Sequence, residues 1–463
     1  MLSENTVRQY RQTTILGLII TVQDLFTHER LKIAHSILEG VYCELEDSLL
    51  SAREVALIEQ RLHDWVKANH PIICLPEADG FYHCHVNGRD IRTLYPVLQH
   101  SGQLRDFRLI HYPPGFILWF PSPTDEENAP TFVLPEKLSA TFSESQRWVE
   151  NLNLDQVGDI NRIITDQRSQ EIICLAEALH EKKISLIADR ILEQRRHIRV
   201  ILISGPSSSG KTTFAQRLAT QLRVNGLRPV ALSLDNYFLS REDTPRDAKG
   251  EPNFEALEAL DRTLLDQHLS TLIKGGEVET PVFDFVNGRR CAQGKPLALE
   301  TDEILVIEGI HGLNPLLIPS LERNQLYKIY VSALFQLNID SVNRIPTTEV
   351  RLIRRLVRDD QFRGINPWRT LAQWASVRQG ENNYIFPYQE EADVMFNSSL
   401  LYELNALRPY AEPLLVNIPP ESAHPETVKR LLRLLSFFSP LVPTKVPHNS
   451  ILREFIGDSI YSV

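Results

Sequence analysis

The sequence predicts an α/β protein, with a parallel sheet carrying helices on both faces and a smaller α+β domain ahead of it. Two observations point there. From His197 to about Pro420, short runs of branched apolar residues alternate with stretches of helical periodicity. Those runs are nearly continuous in apolarity, as strands covered on both faces must be. The α+β domain rests on a third: residues 1–150 lack the alternation and mix short apolar runs with proline turns, among them His111-Tyr112-Pro113-Pro114-Gly115 and Pro121-Ser122-Pro123. A chain of 463 residues also exceeds what one compact core accommodates.

Taken in order, residues 1–150 form the α+β block. Its run Ile15 to Val22 follows Arg8 and Arg11 in the manner of a leader peptide. It is too short to span a bilayer and no small-residue cleavage site follows it, so a buried strand or helix turn is expected. Residues 151–196 read as a helical connector, with Ile172, Leu175, Ala176 and Leu179 followed by Ile184, Ile187, Ala188 and Ile191. Residues 197–420 supply five strands: Val200 to Ser204, Val230 to Leu234, Ile304 to Ile307, Ile329 to Val331 and Val394 to Phe396. Residues 421–463 form a tail expected to pack on the preceding domain, with an amphipathic stretch at Val428, Leu431, Leu432 and Leu435.

Composition excludes several classes. A net charge of −10 argues against a general nucleic-acid binder. Five cysteines, odd in number and without CxxC spacing, read as reduced thiols and a cytoplasmic protein. His83-Cys84-His85 cannot chelate together on a strand, where neighbours point to opposite faces.

The densest chemical signal is Gly205-Pro206-Ser207-Ser208-Ser209-Gly210-Lys211-Thr212, which fits G-x-x-x-x-G-K-[ST] at every fixed position. Glycines there let successive backbone N–H groups reach phosphate oxygens, and the opening helix adds its dipole. Lys211 is placed to reach the β- and γ-phosphates of ATP, and the Thr212 hydroxyl to ligate Mg²⁺. The preceding strand at Val200 and the helical face Phe214, Leu218 and Leu222 supply the context a bare Gly/Ser turn would lack. The sheet is therefore expected to be of the P-loop NTPase type. Asp235 and Glu308 each end a predicted strand, at the edge where open α/β sheets bind ligands; a helix cap or a solvated loop charge is the alternative for each, and two carboxylates at equivalent strand ends beside the phosphate loop weigh against it. Arg351, Arg354, Arg355 and Arg358 recur at i, i+3, i+4 and i+7, with Leu352, Ile353, Leu356 and Val357 on the other side. The stripe reads as a mobile lid on transferring phosphate, the alternatives being a solvated basic helix or an RNA patch.

These residues together resemble the uridine kinase and phosphoribulokinase family over roughly His197 to Val416. The resemblance is carried by Gly205 to Thr213, by Ser233 to Phe238, by Pro281-Val282-Phe283-Asp284-Phe285 and by Arg351 to Asp359. The whole chain is similar to long bacterial members, on Pro206 to Ala215, Glu308 to Pro315 and Ser450 to Gly457. The resemblance implies ATP binding across Gly205, Pro206, Ser207, Ser208, Ser209, Gly210, Lys211, Thr212 and Thr213. It implies Asp235 as acceptor of the nucleoside 5′-hydroxyl proton, Thr212 and Glu308 as Mg²⁺ ligands, and the four arginines as a catalytic lid. It places Tyr237, Glu255, Phe283 and Arg351 with Asp235 around the acceptor. Glu255 stands where family members carry a ribose-gripping aspartate, while Phe283 and Gly288 replace a tyrosine and a histidine at the base edge. Residues near Thr21 to Leu45 weakly resemble the second N-terminal domain of threonyl-tRNA synthetases, without that domain's HxxxH.

The resulting expectation is an ATP- and Mg²⁺-dependent phosphotransferase acting on a small-molecule acceptor, a uridine- or cytidine-like nucleoside. The alternatives are a kinase of the same fold for a sugar phosphate or another small hydroxyl compound, and a nucleotide-gated RNA-binding or regulatory protein. Neither a membrane nor nucleic acid is expected as partner, and a homo-oligomer is left open.

Overall fold

The computed structural model describes residues 4–37, 39–120, 134–246, 250, 252–284, 287–419 and 421–461. Pro121-Ser122-Pro123, Phe285 and the expected boundary at Pro420 lie outside them. The chain forms two units, each assembled from three segments. The first comprises 1–168, 335–349 and 426–440; the second comprises 169–334, 350–425 and 441–463. The contiguous blocks drawn at about 150, 196 and 420 give way to this division. Hydrophobic periodicity reveals an element but not which core it joins, so excursions such as 335–349 are invisible to it.

In the first unit, α1 (Glu4–Leu25) and α2 (Ala52–Lys67) flank a four-stranded antiparallel sheet. Its strands are β1 (Leu31–Ile37), β2 (Gly40–Leu45), β6 (Arg108–Tyr112) and β7 (Gly115–Trp119), in the order β1-β2-β7-β6. A second sheet is formed by β3 (Ile73–Pro76), β4 (Tyr82–Val86) and β5 (Arg89–Thr93). Helices α3 (Glu136–Asn151) and α4 (Val157–Thr165) complete the contiguous part. The apolar run from Ile15 to Val22 lies inside α1, with Leu16, Leu18, Ile19, Ile20 and Val22 buried against Ile58, Leu62 and Trp65 of α2. A Cβ on Gly17 would stand 2.5 Å from the Trp65 ring, so the glycine sets how closely these helices approach. Ser51 starts α2 with a capping box closed by Glu54.

One expectation is corrected here: Cys74 and Cys84 are joined by a disulfide. They are directly paired across β3 and β4, a register that a spacing of ten residues does not advertise.

In the second unit, β8 (Val200–Ser204), β9 (Arg228–Ser233), β14 (Glu303–Glu308), β15 (Leu326–Ser332) and β16 (Val394–Asn397) form a sheet in the order β16-β15-β8-β14-β9. All four pairings are parallel. Every residue of β8 is buried, so both faces are covered. On one side α7 (Arg262–Ile273) packs Leu265, Leu269 and Leu272 with Val200, Leu202 and Leu305. Helices α5 (Ser169–Glu193) and α6 (Lys211–Val224) pack His180 and Phe214 on Phe396 of β16. Small ribbons β10 (Glu277–Thr280) with β13 (Lys295–Ala298), and β11 (Phe283–Asp284) with β12 (Arg289–Arg290), branch from the sheet's periphery. The remaining elements are α8 (Thr347–Arg363), α9 (Pro367–Tyr384), α10 (Glu403–Val416), α11 (Pro425–Ser436) and α12 (Arg453–Ile456). The tail expected to pack as one piece is divided, with 426–440 in the first unit and 441–463 in the second. Among the described residues no helix is long and apolar enough to cross a membrane.

Candidate active site

The loop between β8 and α6 is built for close backbone approach. A Cβ on Gly205 would lie 1.9 Å from the Val331 carbonyl oxygen, and Gly210 adopts φ 84° as it opens α6. Lys211 folds back to donate to the Pro206 carbonyl at 3.1 Å. The hydroxyls of Ser208, Ser209 and Thr213 are buried with no hydrogen-bond partner. Unsatisfied buried donors of this kind mark a place that a polar ligand completes.

The two strand-end carboxylates meet at this loop because of register. Ser233, the last residue of β9, pairs with Glu308, the last of β14. Its hydroxyl donates to Glu308 Oε1 at 2.7 Å and accepts from the Asp235 N–H at 3.3 Å. Burial pushes both carboxyls up, Glu308 to about 7, with Asp235 adding like-charge repulsion on Glu308 and Lys211 opposing the shift on both. Burial likewise draws Lys211 down against the pull of Glu308, Glu454 and Asp235. Two buried carboxylates in mutual repulsion suit a hard cation with oxygen ligands. Among the described residues no group of three or more His, Cys, Asp or Glu surrounds one point. Mg²⁺ at Glu308 and Thr212 would therefore complete its shell with phosphate and water.

Glu255 joins the group. Burial and the charge of Glu381 raise it to about 7, Arg355, Lys211 and Asp235 also act on it, and its Oε2 has no partner. Phe283 is tied alongside by its N–H to Asn236 Oδ1 at 3.2 Å. Gly288 adopts φ 65°, and a Cβ there would meet the Arg241 side chain at 2.3 Å, so an arginine fills the space beside that position. Tyr237 is not brought to the group. Its ring lies in the core with Leu257, Leu265 and Leu269, and its hydroxyl pairs with His268 Nδ1 at 3.0 Å.

The arginine stripe departs from the expected lid. Helix α8 is buried all round from Val350 to Asp359. Arg351 pairs with Glu381 of α9, and Arg354 with Glu403 of α10. Arg355 and Arg358 both pair with Asp359 at 3.2 Å. The arginines grip the loop from behind: Arg351 Nε donates to the Ser207 carbonyl at 3.0 Å, Arg354 Nη1 to the Ser208 carbonyl at 3.4 Å, and Arg355 Nη1 to Ser207 Oγ at 2.9 Å. Glu381 also accepts from the Ser207 N–H at 3.0 Å. Four cations on one helix need no bound anion when Glu381 and Glu403 of other helices and Asp359 of α8 itself neutralise them.

The sequence profile of the Phosphoribulokinase / Uridine kinase family matches residues 200–401, the span that carries this site. A uridine kinase from Deinococcus deserti is 31% identical over 202 residues, covering 43% of this chain and 88% of its own length. A uridine kinase from Borreliella burgdorferi is 30% identical over 214 residues, covering 45% of this chain and 92% of its own. This chain belongs to the phosphoribulokinase/uridine kinase family. It is a phosphotransferase of that family. The solved structure of D-glycerate 3-kinase from Cryptococcus neoformans var. grubii aligns with a TM-score of 0.27 and 15% identity, covering 59% of this chain and 88% of that one.

Reasoning from sequence missed Glu381, Glu403 and Glu454 as partners of the loop and its arginines. Only Glu454 had a signal, since it lies in the Ser450 to Gly457 stretch that resembles long bacterial family members. In the first unit, His83 and His85 flank buried Cys84 and pair with Asp79 at 2.9 Å and Asp90 at 3.7 Å.

Proposed function

We propose that this chain transfers the γ-phosphoryl group of Mg·ATP to the 5′-hydroxyl of a nucleoside, uridine or cytidine in kind. The observation that carries the reading is the convergence of Lys211, Asp235 and Glu308 at one edge of the sheet. In this reading the loop N–H groups and Lys211 hold the phosphates. The acceptor oxygen bonds to the γ-phosphorus as the bond to the β–γ bridging oxygen breaks, and the hydroxyl proton passes to Asp235, whose raised affinity suits it to hold that proton. Bound Mg²⁺ supplies charge neutralisation on the phosphates, with Glu308 and Thr212 as its protein ligands. Glu255 accepts hydrogen bonds from the sugar hydroxyls. Relatives named uridine kinase support the nucleoside class.

A second reading is a same-fold kinase for an anionic acceptor such as a sugar phosphate. It is favoured by Arg241 beside Gly288, where a cation stands in place of a base-reading side chain. For the first unit we propose a role without chemistry of its own.

ADP release from Mg·ATP, measured with uridine, cytidine, sugar phosphates and no acceptor, separates these readings. Uridine- or cytidine-stimulated turnover that disappears in Asp235→Asn establishes the first. Stimulation by sugar phosphates alone establishes the second, and ATP binding without any stimulated turnover moves the regulatory reading forward.

A further inference from the structure

Helix α6 begins at a glycine, which has no side chain with which to cap its own first turn. A carboxylate from far along the chain takes that place: Glu454 Oε2 accepts from the Thr213 N–H at 3.1 Å. The contact is built rather than incidental. Glu454 is 4% exposed and lies in α12. Ile451, just before α12, closes on the phosphate loop, since a Cβ on Gly210 would meet Ile451 Cγ2 at 2.6 Å. Phe455 lies under the Arg354 guanidinium, with 5.0 Å between guanidinium carbon and ring centroid. The charge of Glu454 reaches Lys211 together with those of Glu308 and Asp235.

Backbone N–H groups at the start of the helix after such a loop are the donors that cradle phosphate. Thr213 N–H can serve a carboxylate or a phosphate oxygen, but two anions do not share one donor. Glu454 also leaves the buried hydroxyls of Ser208, Ser209 and Thr213 without partners, so it satisfies only part of what the loop offers. Resting on the nucleotide-binding reading above, we propose that Glu454 is a member of the nucleotide site, holding the seat of a phosphate oxygen until nucleotide displaces it. The C-terminal segment then sets nucleotide affinity, and binding moves it.

Two measurements test this, both with ADP as the probe. Calorimetric titration of the full chain compares wild type with Glu454→Gln, which keeps the side-chain shape and removes the competing charge. A Kd about tenfold lower in the variant is expected, the effect of relieving one like-charge contact in a partly screened site. An unchanged or higher Kd in the variant overturns the proposal and leaves Glu454 as a helix cap. Hydrogen exchange on wild type keeps the question open to decision if the variant folds poorly. The amides of 453–457, bonded within their own turn, should exchange faster when ADP binds; equal or slower exchange overturns displacement. If neither protein binds ADP or ATP, the nucleotide reading itself fails, an outcome distinct from equal binding by both.

Discussion

The two units bury charge in opposite ways. In the second unit, buried cations and carboxylates pair with one another around one loop: Arg351 with Glu381, Arg354 with Glu403, and Lys211 amid Glu308, Glu454 and Asp235. Among the described residues the first unit has one comparable group, Glu349 between Arg8 and Arg430. Elsewhere it buries polar groups by keeping them neutral or leaving them unpaired. His35 stacks on Phe142 at 4.5 Å with both ring nitrogens unpartnered, and Arg344 satisfies a single nitrogen on Ser36 Oγ at 2.7 Å. Buried polarity alone therefore does not mark chemistry. What distinguishes the second unit is convergence of opposite charges on a loop whose buried Ser208, Ser209 and Thr213 hydroxyls still lack partners.

The largest effect should come from the second unit. Asp235→Asn is expected to lower acceptor-stimulated turnover by roughly 10² to 10⁴-fold with little change in melting temperature, whereas His83→Ala with His85→Ala should change turnover little. A strong loss from the histidine pair would erase the functional contrast between the units.

Next in size is structural. Glu403→Ala leaves Arg354 buried without its carboxylate, and denaturant unfolding should show a loss of about 3–5 kcal/mol. A loss below about 1 kcal/mol would mean that the pairing holds little of the second unit together.

His35 gives a smaller, pH-dependent effect in the first unit. Burial lowers its folded pKa from 6.5 to about 3, with Arg344 and Lys32 adding to the shift. Between those values the unfolded chain binds a proton that the folded chain does not, so stability falls as pH falls. From pH 7 to pH 5 this group alone should cost roughly 2 kcal/mol, and His35→Leu should remove that slope from unfolding curves recorded at the two pH values. The smallest effect is expected at the exposed Lys429–Glu426 pair on α11, where Lys429→Ala should leave the melting temperature almost unchanged.

Much of the second unit was legible in sequence because its signals are local. Each of the five expected strands appears within two or three residues of its reading, and the three central ones, β15, β8 and β14, are buried on both faces. The phosphate loop sits between β8 and α6, where its motif and flanks put it. What was not legible lies in partners distant along the chain. Glu381 and Glu403 stand 30 and 49 residues from the arginines they neutralise, so the i, i+3, i+4 spacing read as a mobile lid when α8 is interior. Tyr237 misled for a related reason. It follows Asp235 closely in sequence, yet the short 3-10 turn from Leu234 to Tyr237 carries it into the core. In the first unit the Cys74–Cys84 bond depends on strand register, which composition does not encode.

The all-round burial of α8 bears on how freely this chain can vary. Saturation mutagenesis from Val350 to Asp359 should return a near-continuous block of intolerant positions, with charged and apolar sites equally depleted. Across α5, depletion should instead recur with the helical repeat, sparing Leu175 and Leu186, which face outward. Lineages drifting apart would thus keep the α8 stretch almost letter for letter while α5 changes around a fixed stripe. The segment would serve as an anchor for aligning distant relatives even where the phosphate loop alone is too short to be diagnostic.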